Sequence, residues 1–268
     1  MSESTAIVQA QANTWKGALE PELFRARGML QRASKFSEED TARLITCVQI
    51  AARKAPKLLL CEPKSVALAV AQAASLRIFP NTPVNHAYLI PYGKECQFQI
   101  SYPGLIVLAK RTGLVSVAKA TAVYAADFFE LEEGTNPKVT HRPALRNRGG
   151  DKDIIGAYGL VQYKDGSTQF RWMNRDDLDK RRAMSKGADG ADSPWNKWFK
   201  EMCEAKALKY TLRQCDMSNE DGERLMIAVN NDDRQEAGEP IDVSYIEGAE
   251  DLAPATAAPK GLAERASQ

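Results

Sequence analysis

The chain has 268 residues, 44% hydrophobic and 26% charged, enough for one large domain or two small ones with a sizeable core. No stretch approaches the ~18 apolar residues of a membrane span, and no basic start followed by an apolar run opens the chain, so neither a membrane helix nor a signal peptide is expected and the expected compartment is the cytoplasm. The net charge of +1 hides a split: residues 1–24 carry −2, residues 25–215 carry 31 bases against 19 acids, and residues 216–268 carry 4 bases against 13 acids.

Residues 1–33 are polar, with Trp15, Leu19, Leu23 and Phe24 spaced for a short amphipathic helix, which suggests an arm that docks on a neighbour. Ser37 reads as the cap of a helix with Glu38, Glu39 and Asp40 in its first turn. Leu44, Ile45, Val48, Ala51 and Ala52 follow at helical spacing. Pro63 opens a second helix whose Val66, Ala67, Val70, Ala71 and Ala74 form a small-residue face. Residues 86–91 and 96–102 read as strands joined by Tyr92-Gly93-Lys94-Glu95. Residues 105–111 read as a helix closed by Gly113.

Residues 115–124 and 128–131 read as strands. The basic stretch 138–153, with Arg142, Arg146 and Arg148 before Gly149-Gly150, reads as a loop by composition. Residues 154–163 and 168–173 flank Lys164-Asp165-Gly166-Ser167, a strong hairpin signal. Residues 176–184 look helical and 185–193 form a loop. Pro194 opens one long helix through Trp195, Trp198, Phe199, Met202, Leu208 and Leu212. A further helix is expected over 218–230, and the remaining tail has too few large apolar residues to fold alone. The order is that of an α+β fold with an antiparallel sheet. Three segments are expected: an arm over 1–33, a core over 34–215, and over 216–268 a short helix followed by an acidic, largely disordered tail.

The five cysteines, Cys47, Cys61, Cys96, Cys203 and Cys215, are widely spaced with no C-x-x-C, and His86 and His141 lie far from any ligand cluster. Reduced, mostly buried thiols are expected, with no disulfide framework or structural zinc. The signatures of P-loop ATPases, Ser hydrolases, zinc proteases and deaminases are absent. Glu132-Glu133 and Asp176-Asp177 suit surface or helix N-terminal charge better than two-metal ligands. A divergent metal-dependent DNA nuclease stays open as the alternative, because its acids need no fixed spacing. A structural protein whose oligomers ignore DNA is a third reading.

The positive signal is a set of bases interleaved with aromatics and amides. Lys94, Gln97, Phe98, Gln99 and Tyr102 lie on and beside one expected strand, whose alternation puts Gln97 and Gln99 on one face and Phe98 on the other. Lys110 and Arg111 end the following helix, and Lys164, Arg171 and Trp172 lie on the Asp-Gly hairpin. Lys206, Lys209 and Arg213 fall at i, i+3 and i+7, on one helical face. Such a surface neutralises phosphates while aromatics or amides touch bases. Phe98 and Trp172 read better as core than as stacking platforms, and the Lys206 stripe reads equally well as the wet side of an amphipathic helix.

The run from His86 to Gly93, His-Ala-Tyr-Leu-Ile-Pro-Tyr-Gly, followed by Gln97, Tyr102, Gly104 and Leu108-Ala-Lys-Arg-Thr-Gly113, closely resembles the central signature of the RecT family of phage single-strand DNA annealing proteins. Lys164-Asp-Gly166 with Gln169-Phe170 and Met173 is similar to the family's second hairpin. Ser185-Lys186, Pro194-Trp195, Trp198 and Glu201-Met202 are similar to its final helix. The likeness covers about residues 36–215. Two positions depart from the pattern: Pro103 stands where members often carry a base, and Lys206 lies farther from Met202 than the family lysine does.

The resemblance implies an ATP-independent protein of homologous recombination that coats single-stranded DNA, pairs it with its complement, and assembles into rings or helical filaments. It implies a curved antiparallel sheet with a central helix, flanked by helices and framing a basic groove. No cofactor is called for, magnesium being allowed alongside DNA. The implied partners are single-stranded DNA and the annealed duplex, further copies of the chain, a 5′→3′ exonuclease and the host single-strand binding protein, in the cytoplasm of a bacterial host. The DNA-binding positions expected are Tyr92, Lys94, Gln97, Gln99, Tyr102, Lys110, Arg111, Lys164, Arg171, Lys186, Lys206, Lys209 and Arg213. The acidic segment 216–268 is expected to occupy the groove or to recruit partners.

Overall fold

The computed structural model describes residues 17–19, 21–23 and 37–246 except 136 and 192. The expected arm over 1–33 lies outside the described residues apart from two short helical pieces, in which Leu19 and Leu23 are buried. The expected tail beyond residue 246 lies outside them as well. The chain divides into two compact units, Leu105–Gly238 and the residues on either side of it. These boundaries follow packing, whereas the one expected at 33 follows polarity and the one at 215 follows charge.

In the first unit, helix α1 (Glu38–Lys54) begins at a capping box: the Asp40 amide donates to Ser37 Oγ (3.1 Å) and the Ser37 amide to Asp40 Oδ2 (3.2 Å). Its Leu44, Cys47, Val48, Ala51 and Ala52 are buried. A 3-10 turn (Pro56–Leu60) leads to α2 (Pro63–Ser75), buried continuously from Val66 to Ala74 because nearly every side chain there is small and apolar. Strands β1 (Ala87–Tyr92) and β2 (Glu95–Ile100) pair antiparallel. They turn through two residues, with Gly93 at φ +63°, a conformation glycine adopts without strain. Ser65 Oγ accepts the Cys96 amide (3.0 Å) and so ties β2 to α2.

The strand expected over 96–102 stops at Ile100. Ser101 Oγ accepts the Gly104 amide (3.1 Å) and starts helix α3 (Tyr102–Arg111). Pro103 therefore sits in the first helical turn, where a missing N–H costs nothing.

The second unit is built on a three-stranded antiparallel sheet, and between its first two strands the chain forms a separate hairpin. In chain order the strands are β3 (Val115–Tyr124), β4 (Phe128–Glu132), β5 (Lys138–Arg142), β6 (Ile154–Tyr163) and β7 (Thr168–Asn174). The sheet order is β3-β6-β7, and β4 pairs with β5. Four helices follow: α4 (Arg175–Met184), the short α5 (Pro194–Lys197), α6 (Phe199–Leu212) and α7 (Glu220–Ala237).

Helix α6 packs on one face of the sheet, where a Cβ on Gly159 of β6 would strike Thr211 Oγ1 and the Ala207 carbonyl. The opposite face carries an aromatic cluster. Phe129 stacks on Tyr158 (ring centroids 5.7 Å apart) and lies tilted against Trp172 (4.7 Å), and Gly156 leaves room for the Trp172 ring.

The α+β class and the antiparallel pairing agree with the sequence reading, but the pairing is spread over three sheets instead of one. Three local expectations are corrected. Residues 138–142 are a strand and not loop, because Val139, Thr140 and His141 pair with β4. The single helix expected after Pro194 is broken at Trp198, whose φ −139° and ψ 48° leave helical space. The helix expected over 218–230 runs to Ala237, where Gly238 at φ +74° closes it.

Candidate nucleic-acid interface

The signature residues of the first unit lie on the β1–β2 hairpin and the start of α3. Tyr92 and Lys94 are exposed at the turn. Gln97 and Gln99 are half-buried and share a face with their register partners Ile90 and Tyr88, while Phe98 is buried on the other face, as strand alternation predicts. Tyr102 is half-buried at the first turn of α3. The His86 carbonyl oxygen accepts the Ser101 amide (3.0 Å) and lies so close to Gly104 that any Cβ there would strike it. The motif glycine is thus needed to bring the helix start against the hairpin.

In the second unit, Lys110 and Arg111 are exposed on the last turn of α3. Thr112 Oγ1 donates to the Ala109 carbonyl (2.7 Å), and Gly113 at φ +76° ends the helix. Lys164 is exposed at the β6–β7 turn, which is shaped by Gly166 at φ +90° and by Asp165 Oδ1 accepting the Ser167 amide (2.8 Å). Arg171 points along β7 to the end of α6, where its Nε meets Gln214 Oε1. Gln169 Nε2 donates to the Gln214 carbonyl (2.7 Å). Lys186 is exposed, and its amide donates to the Glu236 carbonyl (2.8 Å).

Lys206, Lys209 and Arg213 do share one face, but that face turns toward α7, which covers the two lysines and leaves Arg213 at its exposed edge. Lys209 Nζ lies 2.6 Å from Asp232 Oδ2, 2.8 Å from Asp233 Oδ1 and 3.1 Å from Glu236 Oε1. Lys206 pairs with Glu236, and Arg213 lies 2.5 Å from Asp233. Both lysines are buried. Burial and the charge of Lys209 push the Lys206 ammonium well down. Burial acts the same way on Lys209, but Asp232 and Asp233 outweigh it and hold its proton. The wet amphipathic face read from the sequence is therefore an internal ion-pair layer.

One charged centre had no sequence signal. The Asp127 side chain, fully buried, accepts from Arg148 Nη2 (2.8 Å), from the Tyr124 (3.0 Å) and Ala144 (2.8 Å) amides, and lies 3.0 Å from His141 Nε2. Burial alone would raise its carboxyl. The hydrogen bonds of Arg148, the two amides and His141 outweigh burial and hold it well below the usual carboxylate range. Arg148 also covers the Tyr124 ring (4.3 Å), and His141 Nδ1 lies 3.3 Å from the Tyr158 hydroxyl. This centre fixes the β4–β5 hairpin and the loop after it, on which Lys138, Arg142, Arg146 and Lys152 are exposed.

Among the described residues, no three His, Cys, Asp or Glu side chains are grouped to hold a metal ion. The five cysteines are free thiols, four of them buried, and burial pushes Cys203 up to about 12. No helix among the described residues is long and apolar enough to cross a membrane.

The RecT family model matches residues 38–243, which take in the β1–β2 hairpin, the three-stranded sheet and helices α1 to α7. The chain belongs to the RecT family. Protein RecT of Escherichia coli K12 is 31% identical to it over 228 residues, 81% of each chain. The uncharacterized protein YqaK of Bacillus subtilis 168 is 22% identical over 231 residues, 84% of this chain and 78% of its own. RecT membership carries the coarse function that the signature implied: single-strand DNA annealing in recombination. The match extends past the likeness over 36–215 at its C-terminal end and takes in α7, where the sequence leads one to expect a helix over 218–230.

Proposed function

We propose that this RecT-family chain anneals complementary DNA strands without ATP, by holding one strand through its phosphates and presenting the bases to a second strand. Complementarity is then tested by base pairing itself, so the protein needs no base-specific readout and no nucleotide site. Neighbouring copies extend the bound strand as a ring or filament, and magnesium, where present, acts on the DNA. A 5′→3′ exonuclease supplies the strand, and the single-strand binding protein of a bacterial host is displaced from it in the cytoplasm.

The observation that carries this reading is the exposure of bases at the family signature. Lys94, Lys110, Arg111, Lys164 and Lys186 all stand at turns or helix ends. Gln97 and Gln99, on one face of β2, offer sequence-neutral amide contacts. The test is incubation of labelled complementary oligonucleotides with the protein and magnesium, without ATP. Duplex formation without cutting is expected, with strand affinity falling against salt on a log–log slope of about −0.7 per phosphate held. Cleavage of the strands would favour the nuclease reading, and salt-independent annealing would remove the phosphate grip.

A further inference from the structure

The ion-pair layer between α6 and α7 has the composition of an occupied phosphate site. Lys209 Nζ faces three carboxylate oxygens at 2.6, 2.8 and 3.1 Å, one from each of Asp232, Asp233 and Glu236. Lys206 and Arg213 flank it on the same helical face and share Glu236 and Asp233. Three bases on α6 and its C-cap thus meet three acids on α7.

The two halves of α7 are held differently. Its first half is anchored by the buried side chains of Leu225, Ala228 and Val229. From Asn230 to Ala237 the sequence is Asn-Asn-Asp-Asp-Arg-Gln-Glu-Ala, with no apolar side chain larger than alanine. That half is held by the ion pairs, by polar side chains including the buried Asn231, and by the Glu236 carbonyl accepting the Lys186 amide. Asp232 Oδ1 is buried and has no hydrogen-bond donor, so the anion is incompletely satisfied where it sits. A buried ion pair repays the desolvation of its charges only in part. A second anion offered to the same cations therefore has little net binding energy to overcome, and a DNA strand adds the entropy of counterion release.

We infer that Lys209, with Lys206 and Arg213, forms a concealed binding site for the phosphodiester backbone of DNA, in which Asp232, Asp233 and Glu236 stand in for phosphates until a strand displaces them. The inference rests on the annealing reading above and adds its regulation. The resting protein pairs all three bases with its own acids and buries the two lysines, so weak or transient encounters do not engage them. A strand already held at the exposed bases opens the last two turns of α7 and gains further phosphate contacts.

The test is hydrogen exchange of the full chain, free and with an oligothymidine strand at low salt, beside a gel shift on the same samples. The amides of residues 231–237 are expected to exchange about tenfold faster or more in the complex, while those of residues 223–229 stay protected. A positive gel shift with residues 231–237 unchanged or more protected overturns the inference and leaves the annealing reading standing. A negative gel shift overturns both. As a second measure, Asp233→Asn, which weakens the mask at its half-buried edge, is expected to bind the strand roughly fivefold tighter, with a steeper salt slope. Equal or weaker binding by a variant of unchanged thermal stability counts against the mask.

Discussion

Asp127 and Lys209 are both buried charges ringed by opposite charge, yet their surroundings differ in kind. Asp127 is met by two backbone amides, of Tyr124 at the end of β3 and of Ala144 in the loop after β5, and by a bidentate guanidinium and an imidazole ring. Its donors come from the chain that it organises. Lys209 is met by side-chain carboxylates of one helix, 23 to 27 residues away, one of which keeps an oxygen without a donor. A charge satisfied by backbone amides cannot exchange its partners without unfolding the loop that supplies them. A charge satisfied by side chains on a half-anchored helix can. Burial and ion pairing alone therefore do not separate a structural lock from a replaceable contact; the source of the partners does.

This contrast breaks if the two centres respond alike. The largest effect is expected for Asp127→Ala, which leaves Arg148, His141 and two amides unmet and should cost about 4 kcal/mol in thermal unfolding at neutral pH. The Asp127 carboxyl is depressed in the folded state, so its contribution is complete above its unfolded value near 4 and is lost as pH falls below that. The gap between wild type and variant should therefore narrow below about pH 4, and a constant gap would show that the charge is not the source. A smaller loss, about 2 kcal/mol, is expected for Lys209→Met, because α7 can turn its unpaired carboxylates outward. Adding Asp232→Asn in the same chain should restore part of it. A cost equal to that of Asp127→Ala would make the α7 layer a lock as well. Arg213→Gln, at the half-exposed rim, should change stability by less than about 0.5 kcal/mol. In strand binding the same change should lower the salt slope by about 0.7.

Much of the fold was legible because its signals are local. Ser37 with Asp40, the Gly93 turn, Gly113 after α3 and the Asp165-Gly166 hairpin each fix backbone geometry from within a few residues. Strand β5 was hidden because Lys138 and Arg142 at its ends give a short strand the composition of a loop, and its pairing with β4 is a tertiary fact. The break at Trp198 has no Gly or Pro to announce it. Asn231, Asp232 and Asp233 are poor helix formers, so the last turns of α7 depend on partners that local propensity does not count. In the candidate site, the spacing of Lys206, Lys209 and Arg213 correctly placed them on one face. Which way that face turned depended on acids far along the chain. The exposed bases at helix ends and turns were legible because those positions are solvated in almost any packing.

The distribution of thiols makes the chain a convenient object for site-specific labelling. Cys47, Cys61, Cys96 and Cys203 are buried and held protonated by burial, whereas Cys215, though also pushed up, is only partly covered. It lies two residues beyond Arg213, just after α6. A thiol-reactive dye should therefore attach there first, without removal of the other cysteines, and place a fluorescent reporter beside the rim of the α6–α7 contact in the native sequence.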